Sequence, residues 1–191
     1  MRAAQVPFLA SDWPIRRATL PRLMDTARAE ELYRNDFFAW TQLQARELRR
    51  FARSRPNLPL DLGHLAEEIA DLGKEQCHSL RSWTSKIIEH LLLLEHSPAR
   101  EPRAGWIEEI VDFRDEVRCR LTRTLRRDLE RRLQTLHAEA RVRLAQKLPA
   151  FGDADVVRLL PDTCPYTLDQ ALDDWWPPGT TTTAAERAPP G

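Results

Sequence analysis

The chain has 191 residues, 42% of them apolar and 30% charged, which is the composition of an ordinary water-soluble globular domain. Twenty-nine basic residues balance 29 acidic ones, so there is no overall pull towards nucleic acid or an anionic membrane. Six glycines against 14 prolines argue against a turn-rich β architecture and place the prolines between helices.

Residues 1–26 show little apolar periodicity. They contain Pro7, Pro14 and Pro21 and the basic Arg16, Arg17 and Arg22, and they read as a flexible arm. Met24, just before the first helical pattern, is a second candidate start.

The first helix is expected from about Thr26 to Arg53. Its apolar stripe is Tyr33, Phe37, Trp40, Leu43 or Gln44, and Phe51, with Leu48 alongside. Pro56 and Pro59 end it in a stiff loop.

Asp61 is a good N-cap for a second helix that Pro98 and Pro102 stop. Its stripe runs Leu62, Leu65, Ile69, Leu72, Gln76, Leu80, Trp83, Ile87, His90 and Leu94. A helix of that length spans about 50 Å. Gly73 lies within it at a penalty of ~1 kcal/mol relative to alanine, and a close helix crossing accounts for it better than a kink.

A third helical region is expected from Gly105 to Leu148. It is read as one very long helix or as two in tandem, with Thr124 capping the second. Beyond Pro149, Asp155–Leu160 forms a short turn. Thr167-Leu-Asp-Gln170 fits a capping box that opens a short helix to about Trp176. Residues 178–191 are low-complexity and are expected to be disordered. The fold class is therefore all-α: one helical bundle over residues 27–177, with two or three long helices and a short C-terminal one.

Charge is unevenly distributed. Residues 61–96 hold seven acids and three bases, residues 114–143 ten arginines and five acids, and residues 153–176 six aspartates and one arginine. Segments of opposite sign are expected to face each other. Three widely spaced cysteines, Cys77, Cys119 and Cys164, form no CxxC and suit free thiols in the cytoplasm. No run of about 18 apolar residues exists, so no membrane span is expected.

These residues also carry a resemblance. Tyr33, Asp36, Phe37 and Trp40 are followed by Leu60-Asp61, Glu67-Glu68-Ile69, Leu72-Gly73 and His90-Leu91-Leu92. Pro98, Trp106, Ile110 and Arg114 come next, then Cys164-Pro165-Tyr166-Thr167-Leu168 and Trp176-Pro177. In this order they resemble a bacterial family known as domain of unknown function, family 29, over about residues 30–178. The resemblance implies an all-α fold with no established activity. The chain departs from the family pattern in having Leu93 where a lysine is usual and His137 where an aromatic is usual. It also lacks a Pro-Ser-Leu break near residue 123, which favours a continuous third helix.

Several constellations are candidates for chemistry. His64, Glu67, Glu68 and Asp71 share helical spacing. Glu68 and His90 stand 22 residues apart on one helix, about 33 Å, so one metal site cannot hold both. No metal or other cofactor is expected. His90 on the apolar stripe reads most simply as a core histidine bonded to Asp36 or Glu89. The functional alternative is an enzyme or binding pocket in which Asp36 orients His90 and Arg114 binds an anion. The Arg-rich stretch 114–143 has carboxylates interleaved at helical spacing, so nucleic-acid binding ranks below intrahelical pairing. Trp175 and Trp176 point about 100° apart on a helix and are the candidate partner surface. The leading expectation is a non-enzymatic protein-interaction module, either homodimeric or bound to a protein partner.

Overall fold

A computed structural model describes residues 26–54 and 57–180; the expected arm apart from Thr26, which opens the first helix, and the expected tail beyond residue 180 lie outside them. The elements are α1 (Thr26–Asn35), α2 (Phe37–Arg53), α3 (Leu62–His96), α4 (Arg103–Arg120), α5 (Arg123–Lys147), α6 (Val156–Leu159) and α7 (Leu168–Leu172), with a 3₁₀ turn at Leu148–Phe151. No strand occurs among the described residues, so the chain is all-α. None of its described helices is long and apolar enough to cross a membrane.

The central helix is α3, which packs against α2, α4, α5 and α7. Asp61 caps it as the sequence indicates, its Oδ1 accepting from the His64 amide at 3.1 Å. The helix has two neighbourhoods. Its first half is covered by the antiparallel α2 across a seam of small residues, Ala66, Ala70 and Gly73 facing Thr41 and Ala45, all buried. Its second half, from Leu80 to Leu94, is buried between α4 and α5 and forms the main core with Ile110, Val117, Leu125, Leu129 and Leu144.

Gly73 marks a close crossing, as expected. A Cβ there would sit 2.1 Å from Thr41 Oγ1 and 3.2 Å from Gln42 Nε2. The seam also differs from the sequence-derived stripe. Ala66, Ala70 and Gly73 are the buried positions, and Leu65 and Leu72 lie on an exposed shoulder beside them.

Two breaks depart from the expected helices. The first helix is interrupted at Asp36, whose backbone (φ −151°, ψ 73°) leaves the helical region. Its carboxylate caps α2 by accepting from the Ala39 amide at 3.0 Å. The third region is two helices, and the cap of the second is Thr122, not Thr124. The chain therefore breaks here without the Pro-Ser-Leu signal. The reason is tertiary: Asp36 also accepts from Thr122 Oγ1 at 3.0 Å and from the Thr124 amide at 3.2 Å. One aspartate thus caps two helices.

The capping box at Thr167 and Gln170 forms, but α7 ends at Leu172, short of Trp176. Arg114 draws the carbonyls of Gln170, Ala171 and Trp175 to itself at 3.1, 3.0 and 2.7 Å. The carbonyls of Gln170 and Ala171 are the ones a helix continuing to Trp176 would need for the amides of residues 174 and 175. The oppositely charged segments meet as expected: Arg118 pairs with Asp174, Arg126 with Asp169 and Arg141 with Asp162.

Candidate functional site

The structure gives Asp36, His90 and Arg114 separate partners, and no hydrogen bond or ion pair joins any two of them among the described residues. Asp36 is the double cap. His90 is buried and meets neither Asp36 nor Glu89 through its ring. Its Nε2 lies 2.6 Å from Glu109 Oε2, its ring stacks on Phe113, and its Nδ1 is buried without a partner. Burial pulls the His90 pKa below its ordinary value despite the opposing charge of Glu109. Arg114 is spent on three carbonyls and stacks its guanidinium 4.6 Å from the Trp176 ring centre. Burial lowers its pKa to about 10, so it remains charged at neutral pH.

Glu68 is exposed at the far end of α3 from His90. Among the described residues, no group of three or more His, Cys, Asp or Glu side chains is placed to hold a metal ion. Trp175 and Trp176 are half-buried on their own chain, Trp175 against Tyr166 and Trp176 beneath Arg114. Tyr166 in turn donates its hydroxyl to Glu95 at 2.7 Å, and burial, reinforced by that bond, raises its pKa. The C-terminal segment is thus a strap across α4, held by an internal cation.

The surface left open is on the α2–α3 hairpin. Gln42 reaches across one side of the seam, its Nε2 donating to the Ala70 carbonyl at 3.3 Å. With 100° between successive residues, the positions beside the seam on the other side are Phe37, Gln44 and Phe51 in α2 and Leu65, Ile69, Leu72 and Gln76 in α3. Two apolar shoulders therefore share one side of the hairpin and enclose a shallow groove. Leu65 is 42% exposed, Leu72 52% and Phe51 48%. Leu58 and Leu60, at the tip of the hairpin, are exposed as well.

At the other end the groove is closed. Gln76 Nε2 donates to the Arg120 carbonyl at the end of α4, at 3.3 Å. Nearby, Tyr33, Phe37 and Trp40 form a ring cluster with centroids 4.9 to 6.1 Å apart. From Leu65 to Gln76 the open length is on the order of 16 Å, or three helical turns.

The rim of this groove is acidic. Glu68 is three residues after Leu65 and four before Leu72, Glu75 is three after Leu72, and Glu47 is four before Phe51, so each borders the apolar shoulder. Glu68 and Glu75 form no ion pair among the described residues, whereas Glu47 lies 3.8 and 3.6 Å from Arg46 and Arg50. The sequence carried the apolar positions of this surface but assigned them to the core. The signal that separates shoulder from seam is the small-residue spacing Ala66, Ala70, Gly73.

The comparisons agree with an all-helical chain of undefined activity. A crystal structure of an alpha-helical protein of unknown function from Rhodospirillum rubrum is 28% identical, with a TM-score of 0.62 over 74% of this chain and 89% of that one. No curated relative matches the chain. A family model, the domain of unknown function DUF29, matches residues 32–176. That match spans α2 to α7, including the seam, the double cap and the strap, and the chain belongs to this family.

Proposed function

We propose that this chain is a non-enzymatic protein-interaction module of the bacterial cytoplasm, and that its α2–α3 groove receives a basic amphipathic helix of a partner protein. The observation that carries this reading is the exposed row Leu65, Leu72 and Phe51 on one side of a two-helix seam, bordered by Glu47, Glu68 and Glu75. Two packed helices with apolar shoulders on the same side offer the bed of a three-helix bundle. Covering three such side chains, each already about half buried, contributes about 1 kcal/mol each, and lysines or arginines on the incoming helix match the acidic rim.

A second copy of this chain fits less well. Two-fold pairing of this surface sets one acidic rim against another. The free thiols of Cys77, Cys119 and Cys164 suit a reducing compartment. The Arg-rich region is not offered to nucleic acid, because Arg118, Arg120, Arg126 and Arg141, which point away from the α3–α5 side, already face carboxylates of the same chain.

The test is carbodiimide cross-linking of carboxylates to lysines in native cells, followed by mass spectrometry, with wild type and Leu72→Asp. Leu72 is half exposed, so the variant is expected to fold with an unchanged circular dichroism melt. The expected result is a stoichiometric partner joined through Glu68 or Glu75 to a lysine of an amphipathic helix, and lost in Leu72→Asp. Cross-links elsewhere, or a partner retained by Leu72→Asp, would overturn the reading. Light scattering that finds a dimer disrupted by Leu72→Asp would replace the partner helix with a second copy.

A further inference from the structure

Along the core, α3 and α5 run parallel and leave a cleft of about 400 Å³ between them. Arg81, Arg132 and Arg143 line it, with the hydroxyl-bearing Ser82, Ser85 and Thr135 between them, and Glu139 is the acid among the lining residues. The arginines are held from behind. Asp128 lies 2.7 Å from Arg81 and 3.5 Å from Arg132. Buried Glu89 takes Arg143 Nε on one oxygen and Lys147 Nζ on the other, both at 2.8 Å. Arg143 also donates to Ser85 Oγ at 2.6 Å, and that hydroxyl donates to the Leu136 carbonyl at 2.9 Å.

The charges around these two carboxylates do not balance. Arg81, Arg131 and Arg132 surround Asp128, and Lys86, Arg143 and Lys147 surround Glu89. Six cations gather on two anions, a local excess of four positive charges, reduced to three by Glu139, in a chain of zero net charge. Burial raises the Glu89 carboxyl pKa, but the hydrogen bonds from Lys147 and Arg143 outweigh it and keep the group ionised. A pair of ionised carboxylates orienting arginines into a hydroxyl-lined cleft is a preorganised receptor for an oxyanion. Each guanidinium carries five N–H donors, and the contacts of Arg81 and Arg143 engage only part of them.

We propose that the α3–α5 cleft binds a phosphate-bearing small molecule, with Arg81 and Arg132, which share Asp128, contacting the phosphate, the hydroxyls of Ser82 and Thr135 completing its shell, and Arg143, about 16 Å further along α5, facing the rest of the ligand. The cleft volume falls in the range of small-ligand sites. The inference does not depend on the α2–α3 groove.

The experiment is isothermal calorimetry with inorganic phosphate and inorganic pyrophosphate, at constant ionic strength set by sodium chloride. It uses wild type, Arg132→Gln and Arg131→Gln. Both variants lose one charge beside Asp128, but only Arg132 lines the cleft. Arg81 keeps Asp128 paired in each, and melts without ligand verify that both fold. Wild type and Arg131→Gln are expected to bind pyrophosphate saturably, with Arg132→Gln weakened about tenfold or more, the effect of losing a charged hydrogen bond. Equal weakening in the two variants, or no saturable binding by wild type below about 10 mM, overturns the proposal.

Discussion

Replacing Gly73 with alanine is expected to destabilise the protein, although alanine is the better helix former. In an open helix the change would gain ~1 kcal/mol. Here the new Cβ would stand 2.1 Å from Thr41 Oγ1, well inside contact distance, and 3.2 Å from Thr41 Cβ. The hydroxyl is not free to swing away without loss, because it donates to the Phe38 carbonyl at 2.8 Å. Forcing a methyl into a filled seam costs about 1–3 kcal/mol, and a contact this short belongs at the upper end. The net loss is then about 1–2 kcal/mol, or a fall in Tm of about 2–8 °C for a chain of this size. The assay is urea and thermal denaturation of wild type, Gly73→Ala, Thr41→Ala and the double variant. With Thr41→Ala the clashing oxygen is gone, so Gly73→Ala becomes neutral or stabilising, and the two changes are coupled by at least ~1 kcal/mol. A rise in Tm for Gly73→Ala in the wild-type background, or strict additivity, would refute the close crossing.

Asp36→Ala removes caps from α2 and α5 together, so its unfolding free energy from urea titration is expected to fall by about 2–3 kcal/mol, well beyond the ~1 kcal/mol of an ordinary N-cap. Asp61→Ala, which uncaps α3 alone, is the comparison, and equal losses in the two variants would count against a shared cap. His137 is buried with Nε2 unpartnered, and burial, aided by Arg141, pulls its pKa below 6.5. The unfolded chain then takes up the proton more readily, so the stability contributed by neutral His137 is complete above about pH 6.5 and falls as pH drops below it. His137→Phe is expected to lessen the pH dependence of urea-derived stability between about pH 7.5 and 5, the remainder coming from buried His90, and an unchanged slope would exclude His137 as a source. Glu89, with its pKa lowered, acts in a separate window: its contribution is present above about pH 4.5 and is lost only under more acidic conditions.

The local features of this fold were readable because their causes are local. The Asp61 cap, the Thr167–Gln170 box and the uninterrupted run of α3 each depend on neighbours within four residues. The breaks at Asp36 and Thr122 were not readable. The apolar steps from Tyr33 through Phe37 to Trp40 run straight across Asp36, and its second set of partners is 86 and 88 residues away. Arg114 was identified as a residue of interest, yet its partners are backbone carbonyls 56 to 61 residues on, which leave no side-chain pattern to find. Periodicity located both shoulders of the hairpin without telling which was covered, because the covered seam is built from alanine and glycine. In the sequence Glu89 stands out only as a possible partner of His90, which the structure does not pair with it. Its meaning came from Arg143 and Lys147, more than 50 residues later.

The double cap at Asp36 has a consequence for how this chain folds. Joining Asp36 to Thr122 closes a loop of 86 residues, an entropic expense of about 4 kcal/mol that no single hydrogen bond offsets. The contact is therefore expected to form after α3 has gathered α4 and α5 and shortened the path between its ends. The Asp36–Ala39 cap of α2 spans three residues and forms without that closure, whereas the Thr124 amide at the start of α5 must wait for it. Once the carboxylate reaches Thr124 it ties the first turns of α2 and α5 to each other. Two helices distant in sequence thus share one anchor, which makes the N-terminal hairpin part of a single cooperative unit with the bundle.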